Sequence, residues 1–519
     1  MSLARNVATV GLATLLSRVL GFVRDMLIAA LFGAGVRADA FFVAFQVLNL
    51  ARRLLAEGAL NAALVPLYLR ARDRGGEAAA GAFAGRLIGT ATVGLTIVAA
   101  LCALAMPLIV LLLAPGFKVT GPRTAIAVDL ARLMLPYLVF AGPLAVLVGV
   151  LNANNRFAVA AFTAAAFNAA VLAVLAVIML AGMGNSDASV RLLAAGIAVA
   201  GAAQLLLVGT AVWIGPERVT PIRVSVDGDI RRFLALAIPG LIANGIPQIT
   251  IIAGVMVASS SRSAVSWLYY AHRLMELPLG IVGIAIGTVL IPALTHALRG
   301  GDRSELAAAE SRGLELALGL ALPAAAALIV LAQPIVQVLF ERGAFTAADT
   351  AATAAALIAF AAGLPGHVLV KIFSPVFFAR EDTRTPMRST LAGLAVAVVA
   401  SLALFPAFGH VGVAVAISLS GWTTAGVLAW LIARRIGFSL DPAALRRLPR
   451  IVLASLAMGG ALQLAWMQTA PWLIGRGAAA HGIALVLLVV LGLGSYGLCL
   501  RWLGVAGLRD LIAVARRSP

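Results

Sequence analysis

Apolar runs of about 20 residues recur along the whole chain, separated by short polar turns. A run of that length spans a bilayer as a helix. The pattern predicts helices near residues 5–31, 38–70, 81–115, 124–153, 157–182, 188–215, 231–257, 265–298, 307–340, 350–378, 387–406, 411–437, 447–470 and 478–503, fourteen in all. Several exceed the length needed to cross, so they tilt, bend or extend beyond the hydrocarbon. The expected fold class is an all-α polytopic membrane protein.

The turns fix a direction. Arginines collect in "RARDRGGEAAAGAFAGR", "GPERVTPIRVSVDGDIRR", "RGGDRSELAAAESR", "AREDTRTPMR" and "ARRIGFSLDPAALRRLPR", each after an even-numbered predicted helix. The alternate turns, such as "GMGNSDAS" and "FPAFGHVG", carry few basic residues or none. Positive turns stay in the cytoplasm, which places both termini there. A faint repeat lays the stretch from Ala38 on the stretch from Ala264, with Pro66 matching Pro292. The copies stand six helices apart and share an orientation, a parallel repeat. The expected organisation is an N-lobe at 1–218, a C-lobe at 219–440 and two trailing helices at 441–519.

Composition supports a membrane chain. Of 519 residues, 62% are hydrophobic and 12% charged, against about 25% charged in soluble domains. No polar span is long enough for a separate soluble domain. The net charge of +18 would suggest nucleic acid in a soluble chain. Here it sits in short turns, as topology signal and contact to anionic lipid. Cys102 and Cys499 lie inside apolar runs without disulfide or metal spacing, and the five histidines form no ligand pair. No cofactor or metal is expected. Arg18 and Arg24 interrupt the first apolar segment, which reads as a retained helix rather than a signal peptide. No GxxxxGK[ST] phosphate loop is present.

The informative residues are charges inside predicted helices: Arg18, Arg24 and Asp25 in the first; Asp39, Arg52, Arg53 and Glu57 in the second; Arg273 and Glu276 in the eighth; Lys371 in the tenth. A charge at mid-bilayer costs about 2.5–3.5 kcal/mol on insertion scales. Arg18 and Asp25 stand seven residues apart, two turns along a helix and beyond direct pairing. Arg24 is expected on another face, so "SRVLGFVRD" is read as spreading positive charge without local neutralisation. Arg53 and Glu57 pair at i,i+4; Arg52 has only Leu48 and Ala56 at that spacing. The structural alternative is that these arginines snorkel or pair with carboxylates on other helices, and Arg273 with Glu276 one turn on. The functional reading is a hydrated cavity whose guanidinium groups hold a pyrophosphate by paired hydrogen bonds.

"SRVLGFVRD", "FGAGVRADAFFVAF", "NLARRLLAEGALNAALVPLY", "LNANNRF", "AVSWLYYAHRLMELPLG", "FERGAFTAADT" and "DTRTP" together resemble the MurJ (MviN) family of bacterial lipid II flippases. That family lies in the superfamily of multidrug, oligosaccharidyl-lipid and polysaccharide exporters. The resemblance implies fourteen helices in the bacterial cytoplasmic membrane and alternating access. It implies substrate-binding roles for Arg18, Arg24, Arg52 and Arg273, and gate or cavity-lining roles for Ser17, Asp25, Asp39, Arg53, Glu57 and Ser266. The implied partners are lipid II, membrane lipids and cell-wall synthesis proteins, with no nucleic acid and no catalytic step. Departures fall at Leu48, Ala160 and Ala164, where prolines are usual, and at His272, where an aspartate often precedes the arginine. The eleventh and twelfth predicted helices lack the acid and Asn with which some members hold sodium. Other readings are a flippase for another polyprenyl-pyrophosphate oligosaccharide, a membrane enzyme, or a scaffold of cell-wall assembly. The enzyme would want a carboxylate in a sizeable external loop, and the richest one, "APGFKVTGPRT", has none.

Overall fold

The computed structural model describes residues 3–56, 59–217, 219–286, 303–435 and 441–505. Its regular elements are α-helices: α1 (Leu3–Phe32), α2 (Val36–Ala56), α3 (Ala59–Leu113), α4 (Pro122–Met134), α5 (Pro136–Ala153), α6 (Phe157–Leu180), α7 (Asp187–Ile214), α8 (Gly228–Ala258), α9 (Ala264–Ala285), α10 (Arg303–Val330), α11 (Ala332–Phe340), α12 (Ala347–Phe378), α13 (Arg384–Arg435), α14 (Pro442–Leu473) and α15 (Ala478–Trp502). Among the described residues nine helices are long and apolar enough to cross a membrane, so the protein is an all-α polytopic membrane protein. The second half of α3 shows why: Leu101, Leu104, Leu108 and Leu112 are all strongly exposed, an apolar face of the kind a bilayer covers.

Caps and breaks follow local chemistry. Ser186 and Ser189 form a reciprocal capping box at the start of α7, and Thr346 and Asp349 do the same for α12. α3 breaks at Gly75–Gly76, where Gly76 takes φ 68° and ψ −169°, a region essentially closed to residues with a Cβ. The turn expected between 406 and 411 is tighter than the pattern implied. α13 runs from 384 to 435 with one non-helical residue, Gly409 at φ 56° and ψ −136°. The helix expected over 124–153 is divided at Leu135, because Pro136 lacks the N–H that would continue the ladder. Leu135 keeps αR geometry, so α4 and α5 still form one span. The helix expected over 307–340 is likewise divided at Leu331. Leu48 lies inside unbroken α2, and Ala160 and Ala164 inside unbroken α6. Pro292 and the arginines of "ARRSP" fall outside the described residues.

The chain forms two compact units, Met1–Ser266 with Arg342–Phe345, and Trp267–Glu341 with Thr346–Pro519. In the first, α1 packs on α6, α6 on α7, α5 on both α3 and α7, and α2 on α4. α8 packs on α3 and α2. One core of this unit gathers Leu64, Tyr68, Phe83, Leu147, Val150 and Phe233. Segment 342–345 joins the unit through the Ala344 N–H, which donates to the Ala30 carbonyl at 2.8 Å. In the second unit α12 packs on α13, while α10 packs on α12 and α14. α12 and α13 approach closely at Gly363 and Gly366, where Ser418 and Trp422 lie against bare glycine backbone. Ser418 Oγ then donates to the Ala359 carbonyl at 2.7 Å, the small-residue packing that suits helices in lipid.

Candidate functional site

In the first unit α1, α2 and α6 bring two predicted arginines onto one patch. Arg24 on α1 is 7% exposed. It donates through Nε and Nη2 to Asp25 Oδ1 at 3.0 and 2.7 Å, and through Nη1 to Asn168 Oδ1 of α6 at 2.9 Å. Asn168 Nδ2 donates to the Ser17 carbonyl at 3.0 Å. The Arg24 guanidinium also lies over the Phe45 ring of α2, 5.6 Å from its centroid. Arg52 on α2 lies over the ring of Phe167, the neighbour of Asn168, at 5.8 Å. Its Nη2 donates to Asn49 Oδ1 at 3.0 Å. Consecutive residues of α6 thus carry both guanidinium groups. Arg18 is half-buried on α1 with no hydrogen bond or ion pair among the described residues.

Two expectations are corrected here. "SRVLGFVRD" does neutralise charge locally: Arg24 pairs with the adjacent Asp25, because a long side chain bends back across the 100° between consecutive helical positions. Arg52 does have a neighbour on its own helix, the amide of Asn49 one turn back. The i,i+4 spacing searched for carboxylates overlooks an uncharged acceptor at i−3. The Arg53–Glu57 pair lies outside the described residues, since Glu57 is not described.

Asp39 and Ser266 form a second, fully buried arrangement. Asp39 is 0% exposed. It accepts from the Ser263 N–H at 2.8 Å, the Ser266 N–H at 3.0 Å and the Ser266 hydroxyl at 2.7 Å. α9 begins at Ala264, so a carboxylate from another helix caps its first turn. Arg123 Nη1 stands 3.9 Å from Asp39 and donates to the Ser259 and Ser261 carbonyls at 3.2 and 3.3 Å. Ser17, by contrast, is half-buried beside Asn168, with Oγ 3.4 Å from Nδ2.

In the second unit Arg273 Nη1 donates to Glu276 Oε2 at 2.9 Å. His272 Nδ1 lies 3.8 Å from the other carboxylate oxygen, Oε1. Its ring meets the edge of Phe360 with centroids 5.5 Å apart. Glu276 therefore takes the place of the aspartate that the resemblance led one to expect before Arg273. Lys371 on α12 reaches the Leu279 carbonyl at 3.5 Å.

Sequence reasoning missed Asn168, Phe167, Phe45 and Arg123. Asn168 offered a signal, a lone amide in the apolar run "FTAAAFNAAV". The phenylalanines offered none, since apolar residues in an apolar helix carry no mark of what lies above them.

A family model described as "Lipid II flippase MurJ" matches residues 28–479. The chain belongs to that family. A probable lipid II flippase MurJ of Rhizobium meliloti (strain 1021) is 42% identical over 468 residues, covering 90% of this chain and 87% of the relative. A lipid II flippase MurJ of Burkholderia cenocepacia is 33% identical over 468 residues, covering 89% of each. Among solved structures, a lipid II flippase MurJ in an inward closed conformation superposes with a TM-score of 0.78 at 23% identity, over 95% of this chain and 99% of that one. An inward-facing multidrug transporter of the MATE family gives 0.66 at 14% identity, over 84% and 95%. The family is one of multi-pass membrane transporters, and these two likenesses place its fold beside that of MATE exporters.

Proposed function

We propose that the protein carries lipid II, the undecaprenyl-pyrophosphate-linked muropeptide, from the inner to the outer leaflet of the bacterial cytoplasmic membrane by alternating access. The observation that carries the site assignment is the gathering of Arg24 and Arg52 on Phe167 and Asn168, with Arg18 six residues from Arg24 on the same helix. Arg18, Arg24 and Arg52 of the first unit and Arg273 of the second neutralise the pyrophosphate, while the polyprenyl tail stays in lipid. Ser17, Asp25, Asp39, Arg53, Glu57 and Ser266 line or hold the gate. No bond is made or broken.

The chain crosses the membrane fourteen times with both termini in the cytoplasm. Two lobes, 1–218 and 219–440, alternate, and 441–519 trails. Nine spans become fourteen when α13 is counted as two crossings about Gly409 and α1, α2 with the start of α3, α8 and α9 are added. Three of those four additions carry the intramembrane charges that depress their hydropathy.

The test is complementation of a flippase-depleted strain, with lipid II measured in the outer leaflet and protein measured in the membrane. One lost charge-assisted contact costs about 1.5–3 kcal/mol, roughly 10- to 150-fold in affinity. Arg18→Ala and Arg52→Ala should lose transport at normal abundance. Arg24→Ala removes the guanidinium bonded to buried Asp25, so it should lower abundance. Arg24→Lys keeps the charge without the planar fork and should lose transport more than protein. Abundant, fully active Arg18→Ala and Arg52→Ala variants would overturn the assignment.

A further inference from the structure

Between α7 and α8 the chain runs extended over residues 219–227, and α3 receives it on two glycines. A Cβ on Gly85 would lie 2.4 Å from the Pro221 carbonyl oxygen, and one on Gly89 2.5 Å from that of Arg223. Only bare helix backbone admits the strap this closely. One residue along, Thr90 Oγ1 donates to the Ser225 carbonyl at 2.9 Å and accepts from its N–H at 3.0 Å. The strap ends on Asp227, which caps α8 through the Ile230 N–H at 3.0 Å and pairs with Arg86 at 2.8 Å. It is fastened at every second or third residue.

What the strap turns outward is apolar. Ile222, Val224 and Val226 are 63%, 55% and 60% exposed, at the two-residue period that puts them on one side of an extended chain. Arg223 is exposed among them, and Arg231 and Arg232 are exposed in the first turn of α8. The strap is continuous with the lipid-facing side of α3, which starts one turn beyond Gly89 with Val93 and continues through Ile97 and Leu101. Water is a poor partner for three branched aliphatics held in a row. A second polypeptide would find cations beside the apolar row; a bilayer offers acyl chains and anionic phosphates at that same spacing of depths.

We infer that Pro221–Val226 is a pre-formed bilayer anchor: Ile222, Val224 and Val226 enter the upper acyl region, while Arg223, Arg231 and Arg232 hold anionic phospholipid head groups. The strap sets the depth of α3 against the membrane surface, and its own backbone needs no refolding to do so.

The test uses the full chain with Cys102→Ala and Cys499→Ala, carrying a polarity-sensitive fluorophore at Val224→Cys or, separately, at Val226→Cys. The protein is placed in vesicles of phosphatidylcholine with or without phosphatidylglycerol. A label at Glu77→Cys, on a side chain that is 60% exposed, serves as the aqueous reference. Both strap labels should emit at shorter wavelength than the reference. They should be quenched several-fold more by a spin label high on the acyl chain than by aqueous iodide. Iodide reaching them as readily as Glu77→Cys overturns the anchor. Strap labels shielded in native membranes but open to iodide in vesicles assign the row to a polypeptide and overturn the lipid assignment. Changing Arg223, Arg231 and Arg232 to Gln should reduce the preference for spin-labelled phosphatidylglycerol over phosphatidylcholine by about five-fold per arginine. An unchanged preference removes the head-group contact.

Discussion

Replacing Asp39 tests whether it is a structural cap or a moving gate. In Asp39→Ala three donors lose one acceptor: the Ser263 N–H, the Ser266 N–H and the Ser266 hydroxyl. Each bond to a charged acceptor contributes about 1.5–3 kcal/mol. Removing the carboxylate also removes its desolvation cost, so the three do not simply add. Taking one partner from a buried charged arrangement costs about 3–5 kcal/mol, and that is the expected loss. The Ser266 hydroxyl can turn to another acceptor, but the two N–H groups are fixed, one just before α9 and one in its first turn. Arg123 keeps its two carbonyls and the Phe117 ring, 4.5 Å away, so it adds little. Asp39→Asn is expected to lie between: Oδ1 still serves Ser266, while the new NH₂ faces the Ser263 N–H, losing about 1–2 kcal/mol. The order of stability should be wild type, Asn, Ala. The assay is thermal unfolding in detergent, followed by the monodisperse peak on size exclusion, beside membrane abundance. If Asp39→Ala keeps its midpoint and abundance but loses transport, the cap reasoning is refuted and Asp39 acts in the transport cycle.

Asn168→Leu should lower transport about ten-fold, the effect of one charge-assisted hydrogen bond, with abundance nearly kept because Asp25 still holds Arg24; outer-leaflet lipid II against membrane protein level measures it. Gly89→Val should push the strap off α3, because its Cβ would lie 2.5 Å from the Arg223 carbonyl carbon and oxygen; faster labelling at Val224→Cys in that background reports it. Asp382 lies between α12 and α13, where Thr385 donates its hydroxyl at 2.6 Å and its N–H at 3.0 Å. That hydroxyl bond first, then the N–H, holds the carboxyl below its ordinary value of 3.8. Its stabilisation is therefore present above pH 3.8 and lost as pH falls through the lower folded value. Asp382→Ala should melt below wild type at neutral pH, and the gap should close in acid; a gap independent of pH would contradict this.

What the sequence determined by itself is what depends on local periodicity and sterics. Spans were legible because apolar length is set within a few turns of chain, whereas the divisions at Leu135 and Leu331 and the caps at Ser186 and Thr346 emerged only with the structure. The membrane-buried charges were legible because they are rare in such surroundings, and the family resemblance rested on those same motifs. Contacts across the chain decided the rest. Arg24 rests on Asn168, 144 positions away, and Asp39 caps a helix 227 positions on; no spacing rule links such residues, since only folding brings them within hydrogen-bond reach. That Gly85 and Gly89 receive an extended strap and not another helix depends on where α8 packs. The sequence supplied the charges, and the tertiary structure decided which are paired and which are caps, because pairing depends on distances of a few ångströms that a one-dimensional pattern does not contain.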